Sequence, residues 1–169
     1  MGQDDTMRSR PRVLVVGGGF AGLSAARVLA GKAVDVSLVD RHNFHTFQPL
    51  LYQVATAGLE PADVAYPVRA IVGRSHNITF RHGTVTAVDL DKHRVELSDG
   101  SLCEYDHVIL ATGATAGYFG VPGAPSRAMP LYTLANARML RNHLLLTLEE
   151  VDAHPERYDG GAPVFVVVG

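Results

Sequence analysis

Three glycines near the amino terminus have the spacing of a phosphate-binding turn. Gly17, Gly19 and Gly22 follow directly after the apolar run 13–16, whose β-branched residues predict a buried parallel strand. A pyrophosphate needs backbone N–H groups and a positive helix end close by, and side chains would obstruct its approach. Gly17 would allow a tight turn, Gly19 would let a diphosphate lie against the backbone, and Gly22 would let the helix pack on the strand. The pattern predicts a dinucleotide site, and the alternative is a glycine-rich turn without a ligand.

An acidic residue stands where such a site would present a ribose. Asp40 ends the segment 34–40, which predicts a second strand. A carboxylate at that place can accept hydrogen bonds from both ribose hydroxyls and would repel a 2′-phosphate. Arg41 follows it and could cover the adenine, but an exposed arginine after a strand is ordinary, and the sequence leaves both interpretations open.

The other reactive residue types give no catalytic pattern. His42 and His45 are three residues apart, but no cysteine or acid completes a recognisable ligand spacing, so the sequence predicts no metal site. Ser24 lies inside the predicted first helix and not on a nucleophile elbow. Cys103 is the single cysteine, which excludes an internal disulfide and a cysteine-pair redox centre and favours a reducing compartment. Redox chemistry in this chain would have to be carried by a cofactor.

Composition narrows the class of ligand. The chain has 169 residues, 47% of them apolar, and a net charge of −2. Lysine and arginine are spread along the sequence, which argues against nucleic acid or an anionic membrane surface as the main partner. No stretch is long and apolar enough to predict a membrane span, since the leucines at 144–146 lie in a segment with many charged residues. A small anionic ligand remains open.

The predicted elements alternate as in an α/β protein. Residues 21–29 predict a helix that stops before Gly31, which gives a strand–helix–strand unit with 13–16 and 34–40. Residues 41–58 have no clean period and predict an ordered, partly buried loop. A helix is predicted over 61–72, with Pro67 either kinking it or starting a new helical stretch.

The second half of the chain begins with alternating residues. Residues 78–103 predict an antiparallel meander, with Asp99 and Gly100 as a hairpin signal. Residues 108–111 predict a further parallel strand, and 134–151 predict an amphipathic helix. A second strand running into glycine occupies 164–169, so we expect the front part of a protein with two dinucleotide-binding units.

Two stretches carry a family resemblance. The first glycine pattern, the segment Val-Ile-Leu-Ala-Thr-Gly-Ala at 108–114 and the meander between them resemble flavoproteins with two dinucleotide-binding domains, which bind FAD and NAD(P)H. The stretch Asn-Phe-His-Thr-Phe-Gln-Pro-Leu-Leu-Tyr-Gln-Val-Ala-Thr-Ala-Gly at 43–58 is similar to type II NADH dehydrogenases, the NADH:quinone oxidoreductases that pump no protons. The resemblance covers nearly the whole chain after residue 12. It implies an α/β fold, with a Rossmann-like FAD-binding parallel sheet, an inserted antiparallel meander and the start of a second Rossmann-like unit.

The resemblance also implies which residues hold FAD. Those along the diphosphate would be Gly17, Gly19, Phe20, Ala21 and Gly22. Asp40 would hold the ribose, Arg41 would lie beside the adenine, and Val85 would meet the adenine through its backbone.

The same resemblance places residues near the rest of the cofactor. Gln48 and Pro49 would lie beside the isoalloxazine. Ala111, Thr112 and Gly113 would run along the middle of FAD. No catalytic residue and no metal ligand is implied.

The implied domains are a disordered arm at 1–11, an FAD-binding domain at 12–130, a connecting helix and loop at 131–162, and the first strand of an NAD(P)-binding domain at 163–169.

The resemblance also implies the reaction. NADH would deliver hydride to FAD, and the flavin would pass two electrons to a membrane quinone. Peripheral attachment on the cytoplasmic side of the cell membrane, and often a homodimer, are implied through segments beyond Gly169. We expect the 169 residues alone to be inactive.

Four alternatives to this interpretation can be compared with the sequence. One is another FAD-dependent reductase, such as one that serves a ferredoxin, and another is a non-catalytic nucleotide-binding remnant. Disulfide reductases are excluded, because no cysteine occurs between Arg41 and Leu102. Sulfide:quinone oxidoreductases also use cysteines, some of them beyond this terminus, so they are disfavoured less firmly.

Overall fold

A computed structural model describes residues 10–158 and 162–168. They form two compact units, one made of the residues up to His45 together with Tyr66–Ala114, the other of Thr46–Ala65 and the residues from Thr115 onward. The predicted arm at 1–11 lies outside the described residues except for Arg10 and Pro11. The domain boundaries at 12–130, 131–162 and 163–169 stay predictions.

The described residues contain both strands and helices. The strands are β1 (Arg12–Val16), β2 (Asp35–Asp40), β3 (Phe44–Thr46), β4 (Ala65–Pro67), β5 (Ile78–His82), β6 (Val85–Asp89), β7 (Arg94–Leu97), β8 (Leu102–Glu104) and β9 (His107–Leu110). The α-helices are α1 (Phe20–Leu29), α2 (Leu51–Ala55), α3 (Val68–Val72), α4 (Ala124–Arg127) and α5 (Leu134–Ala153), and short 3₁₀ helices cover Gln48–Leu50, Pro61–Asp63 and Pro155–Arg157.

The first unit is built on a four-stranded parallel sheet. Its strand order is β5-β2-β1-β9, and α1 connects β1 to β2 as predicted. Because successive side chains of a strand point to opposite faces, Val15 and Leu38 enter one core while Leu14 and Val39 enter the other. Both faces are buried, as in other parallel sheets, and the predicted α/β class is confirmed.

The meander is present but shorter than predicted. Strands β6, β7 and β8 pair antiparallel, and Gly100, at φ 78°, makes the turn between β7 and β8 that its sequence signal predicts. Placing Ile78–Phe80 in the meander was wrong, because β5 pairs parallel to β2 at the edge of the main sheet. Three alternating residues look the same in either kind of strand, so only the partner distinguishes them.

Two segments contain more structure, or a different structure, than their sequence predicts. The loop predicted over 41–58 contains β3 and α2, and α2 buries Leu51, Val54 and Ala55 at helical spacing. A continuous helix over 61–72 is wrong, whereas the alternative that a new helical stretch starts at Pro67 is confirmed. A proline disfavours helical backbone at the residue before it, so the chain is extended through β4 and starts a new helix, α3, directly after Pro67.

The second unit has a core between two helices. Helix α5 extends the predicted segment 134–151 by two residues and begins at a capping box, in which Thr133 Oγ1 accepts from the Asn136 backbone N–H at 3.1 Å. Its buried Ala137 packs with Leu51 and Val54 of α2. No helix in the described ranges is both long and apolar enough to cross a membrane.

The predicted strand at 164–168 is not formed as a strand. Residues 162–168 have neither helix nor strand, and the side chains of Val164, Val166 and Val167 are exposed. A strand needs a neighbour to complete its ladder of hydrogen bonds, and within the described part of the chain these residues pair with none. The predicted glycine turn at Gly169 lies outside the described residues.

Candidate functional site: the carboxyl edge of the parallel sheet

The glycine turn lies at the carboxyl edge of the sheet in the first unit. Gly17 follows β1, Arg41 follows β2 and Ala111 follows β9, so these three positions share one edge. The Gly17 N–H donates to the Val39 carbonyl at 2.8 Å, and the Ala111 N–H donates to the Val16 carbonyl at 2.8 Å. In open parallel sheets, ligands bind at this edge.

Gly17 and Gly22 are required by close packing. Gly17 has φ 111°, and a Cβ there would lie 2.2 Å from the Ala111 carbonyl oxygen. A Cβ on Gly22 would lie 1.7 Å from the Gly17 carbonyl oxygen and 3.4 Å from Val15 Cγ1. The first glycine therefore admits β9, and the third lets α1 approach the turn and the strand below it.

Gly19 has a different environment. It is the N-cap of α1, its backbone is extended, and it provides no side chain to cap the helix. A Cβ on Gly19 would meet no atom within 4 Å, so neither packing nor backbone strain requires glycine here. The open space lies at the positive end of a ten-residue helix. The residues present therefore fit a diphosphate, which would occupy the space that a side chain would fill.

Asp40 has two backbone partners within the protein. Its Oδ2 accepts from the Gly18 N–H at 2.5 Å, and its Oδ1 accepts from the His42 N–H at 2.6 Å. Each carboxylate oxygen has a further lone pair, so acceptance from a ribose hydroxyl remains available. A Cβ on Gly18 would lie 3.3 Å from Asp40 Oδ2, which explains a glycine at the variable position of the pattern. The sequence interpretation did not include this connection between Asp40 and the turn.

His45 is a residue whose contact with the turn the sequence analysis missed. Its Nδ1 lies 3.1 Å from the Gly18 carbonyl oxygen. Its ring meets the Phe20 ring edge-on, with the centroids 4.9 Å apart and the planes at 88°. The sequence analysis considered His42 and His45 only as possible metal ligands. The described residues contain no group of three or more potential metal ligands. The run of three glycines at 17–19 was the available signal that the turn needs outside support.

The loops around this edge are held by short contacts. His82 Nε2 lies 2.9 Å from the Arg41 carbonyl oxygen, and the Gly83 N–H donates to the Asp40 carbonyl at 2.9 Å. The side chain of Arg41 is exposed. Val85 begins β6 opposite Leu97 and is half-buried.

The remaining predicted residues divide between the units. Thr112 and Gly113 are exposed after β9, and Gly113 has φ 73°. Ala21 is exposed in the first turn of α1. Gln48 and Pro49 lie in the second unit, where Gln48 Nε2 donates to the Tyr132 carbonyl at 3.3 Å. The assignment of all these residues to parts of FAD stays a prediction.

Clear changes in pKa occur away from the glycine turn. At the amino edge of the sheet, the Arg12 backbone N–H donates to Asp106 at 2.7 Å and lowers the pKa of that carboxyl, with help from the Arg12 side chain. Hydrogen bonds from Glu104 and then Asp106 raise the pKa of Arg12. In the meander, the Lys92 backbone N–H lowers the pKa of Asp89, and Ser101 lowers that of Asp99.

The parallel sheet and its glycine turn define an α/β protein of the dinucleotide-binding class. The chain belongs to the pyridine nucleotide-disulphide oxidoreductase family, whose model matches residues 11–169. It is 36% identical to the type II NADH:quinone oxidoreductase NdhA of Mycobacterium tuberculosis over 99% of this chain and 37% of that protein. The chain thus spans just over a third of that relative's length.

Solved structures give the same fold. The sulfide:quinone oxidoreductase of Aquifex aeolicus superimposes with a TM-score of 0.73 at 25% identity, over 86% of this chain and 33% of that one. NDH2 of Plasmodium falciparum in complex with NADH gives a TM-score of 0.75 at 21% identity, over 85% of this chain and 30% of that chain. These findings confirm the resemblance to two-domain flavoproteins and to type II NADH:quinone oxidoreductases.

Proposed function

We propose that this chain forms the FAD-binding part of a type II NADH:quinone oxidoreductase. The observation that carries the proposal is the open space in front of Gly19, at the start of α1, where packing gives no reason for glycine. The 36% identity to NdhA over nearly the whole chain supports the choice of activity within the family.

The chain's own residues would bind and orient the cofactor. Backbone N–H groups at the start of α1 would donate to the diphosphate, and Asp40 would accept from the ribose while it braces Gly18. FAD supplies the ability to accept a hydride and release two electrons. The balanced reaction is NADH, a proton and a quinone giving NAD⁺ and a quinol. It needs no protein nucleophile.

The proposal includes further partners and a location. NADH and quinone would be the substrates, and contact with a membrane quinone implies a peripheral position at the cytoplasmic side of the membrane. The adenine would be contacted by Arg41 and Val85, and the middle of FAD by residues 111–113. The isoalloxazine would lie beside Gln48 and Pro49. A homodimer is part of the same proposal.

The test is a comparison of electron acceptors with the full-length protein. We expect it to purify with flavin absorbance, to bleach on anaerobic mixing with NADH, and to recover its absorbance when quinone is added. Fast turnover with a ferredoxin-type acceptor and none with quinone would favour the other reductase class. A colourless protein that cannot be reconstituted with FAD would favour a non-catalytic remnant.

A further inference from the structure

We propose that His45 is a positioning residue that sets the direction of the Gly19 N–H toward the diphosphate. The proposal rests on the proposed function, since it concerns how the FAD site is prepared. It starts from two contacts on a single residue, Gly18. The Gly18 N–H donates to Asp40 Oδ2 at 2.5 Å, and the Gly18 carbonyl oxygen lies 3.1 Å from His45 Nδ1.

The Gly18 carbonyl belongs to the peptide unit that also contains the Gly19 N–H. In a planar trans peptide the C=O and N–H bonds point in opposite directions. A donor that holds the carbonyl oxygen therefore also sets the direction of the N–H. Among the described residues the Gly19 N–H has no acceptor, and Gly19 is exposed.

The sequence of the turn makes such an anchor necessary. Residues 17, 18 and 19 are all glycine, so no Cβ restricts rotation of the peptide between Gly18 and Gly19. With that peptide turned over, a carbonyl oxygen instead of an N–H would face an incoming phosphate. Asp40 restrains only the peptide before Gly18, and His45 restrains the peptide after it.

His45 is itself held in place from two sides. Its ring packs edge-on against Phe20, the first residue of α1. The loop before β3 is fixed because the Val68 N–H donates to the Asn43 carbonyl at 2.9 Å. Donation to a carbonyl requires the proton on Nδ1, so the contact also assigns the tautomer. The histidine thus connects the middle of the turn with the start of the helix.

The test compares two substitutions at position 45. His45→Ala removes the donor, and His45→Asn keeps an amide N–H near the position of Nδ1. FAD affinity of the full-length apoprotein is measured by quenching of flavin fluorescence, together with its melting temperature without FAD. We expect about 3–10-fold weaker FAD binding for His45→Ala, the worth of one neutral hydrogen bond, and recovery of most of that loss in His45→Asn.

A matched control separates positioning from a general loss of stability. His76 is exposed and lies before β5, at the opposite edge of the sheet, so His76→Ala should leave FAD affinity unchanged. The apoprotein melting temperatures of His45→Ala and His45→Asn should be alike. Equal FAD affinity in wild type and His45→Ala would overturn the proposal, as would equal losses in the two His45 variants.

An NMR measurement decides the point without the cofactor. In the isotope-labelled apoprotein, His45→Ala should shift or broaden the Gly19 amide resonance through exchange between peptide orientations, and His45→Asn should restore it. An unchanged Gly19 resonance in His45→Ala would contradict the positioning role. Failure of the wild-type protein to bind FAD would instead overturn the proposed function, and the Gly19 resonance would then decide the role of His45 on its own.

Discussion

Polar groups at the two edges of the parallel sheet differ in their hydrogen-bond partners. At the amino edge, the buried Asn77 accepts from the Gly31 N–H at 2.9 Å and donates to the carbonyls of Leu29 and Val34 at 3.0 and 2.9 Å. Arg12 pairs there with Asp106 at 3.3 Å. At the carboxyl edge, the protein orients the glycine turn but leaves the Gly19 N–H without an acceptor in the described residues.

Under the proposed function, the difference separates polar groups that stabilise the fold from polar groups that would bind the cofactor. An amide buried with all its partners inside the protein stabilises the fold, and removing it leaves unsatisfied groups behind. A donor that is oriented and exposed contributes little to the fold. Changes at the amino edge should therefore affect stability, and changes at the carboxyl edge should mainly affect flavin binding.

Gly19→Val, at the carboxyl edge, should have the largest effect, which is a loss of FAD affinity. The branched side chain would fill the open space at the start of α1, so we expect FAD affinity to fall by more than about 100-fold, or about 3 kcal/mol. The fold should survive, because no protein atom lies in the way. Absorbance of the purified full-length protein and its far-UV circular dichroism measure the two properties.

A second glycine provides the control for Gly19→Val. Gly117 also has open space around its missing Cβ but lies outside the sheet, so Gly117→Val should purify with normal flavin content. A yellow Gly19→Val protein with full stoichiometry would contradict the diphosphate assignment.

Asn77→Ala, at the amino edge, should lower the stability of the fold and leave flavin binding unchanged. The substitution leaves the Gly31 N–H and the Val34 carbonyl without the Asn77 partner and removes one of two donors from the Leu29 carbonyl, which should cost about 3 kcal/mol of unfolding free energy. FAD affinity of the folded fraction should be unchanged. Urea unfolding followed by circular dichroism measures the first effect. A loss of flavin at unchanged stability would contradict the assignment of the amino edge to fold stability.

Asp40→Ala should weaken FAD binding by about 1.5–3 kcal/mol, because it removes a charged acceptor from the ribose and the brace on Gly18. Asp35→Ala is the matched control, since Asp35 is exposed at the amino end of the same strand. Flavin titration of both apoproteins gives the difference. Equal affinities in the two variants would remove Asp40 from the site.

The smallest effect is expected at Asp106, in the dependence of stability on pH. Its pKa is lowered in the folded protein, first by the Arg12 backbone N–H, so its contribution is present above the ordinary pKa of 3.8 and is lost as pH falls through the lower folded value. Asp106→Asn should therefore be less stable than wild type at neutral pH, and the gap should close in acid. Unfolding at a series of pH values checks this. Because Asp106 is exposed at the amino edge, a change in flavin affinity would contradict the comparison.

Local signals account for the part of the fold that the sequence predicts correctly. The βαβ unit around the glycines, the turn at Gly100 and the start of α5 at Leu134 all follow from residues close together in the chain. Apolar periodicity, caps and turn residues act over a few positions, so they can be interpreted without knowing what packs against them. The alternation of these elements was enough to predict the α/β class.

The errors lie where an element depends on a distant partner. Ile78–Phe80 joined the main sheet because β2 offered an edge, and α2 formed because α5 covers its apolar face. Residues 164–168 have a strand's composition but no strand partner among the described residues. Short apolar runs do not specify which element they will meet.

The sequence by itself determined the glycine turn and the acid after the second strand and predicted the class of ligand that they fit, because these depend on residue type and local spacing. Only the tertiary structure decided how the turn is held. Asp40 and His45 are 22 and 27 residues from Gly18 in the chain, and the sheet brings both to the same peptide. Hydrogen bonds to a backbone group leave no trace in the sequence of that group, because every residue but proline has the same N–H and carbonyl.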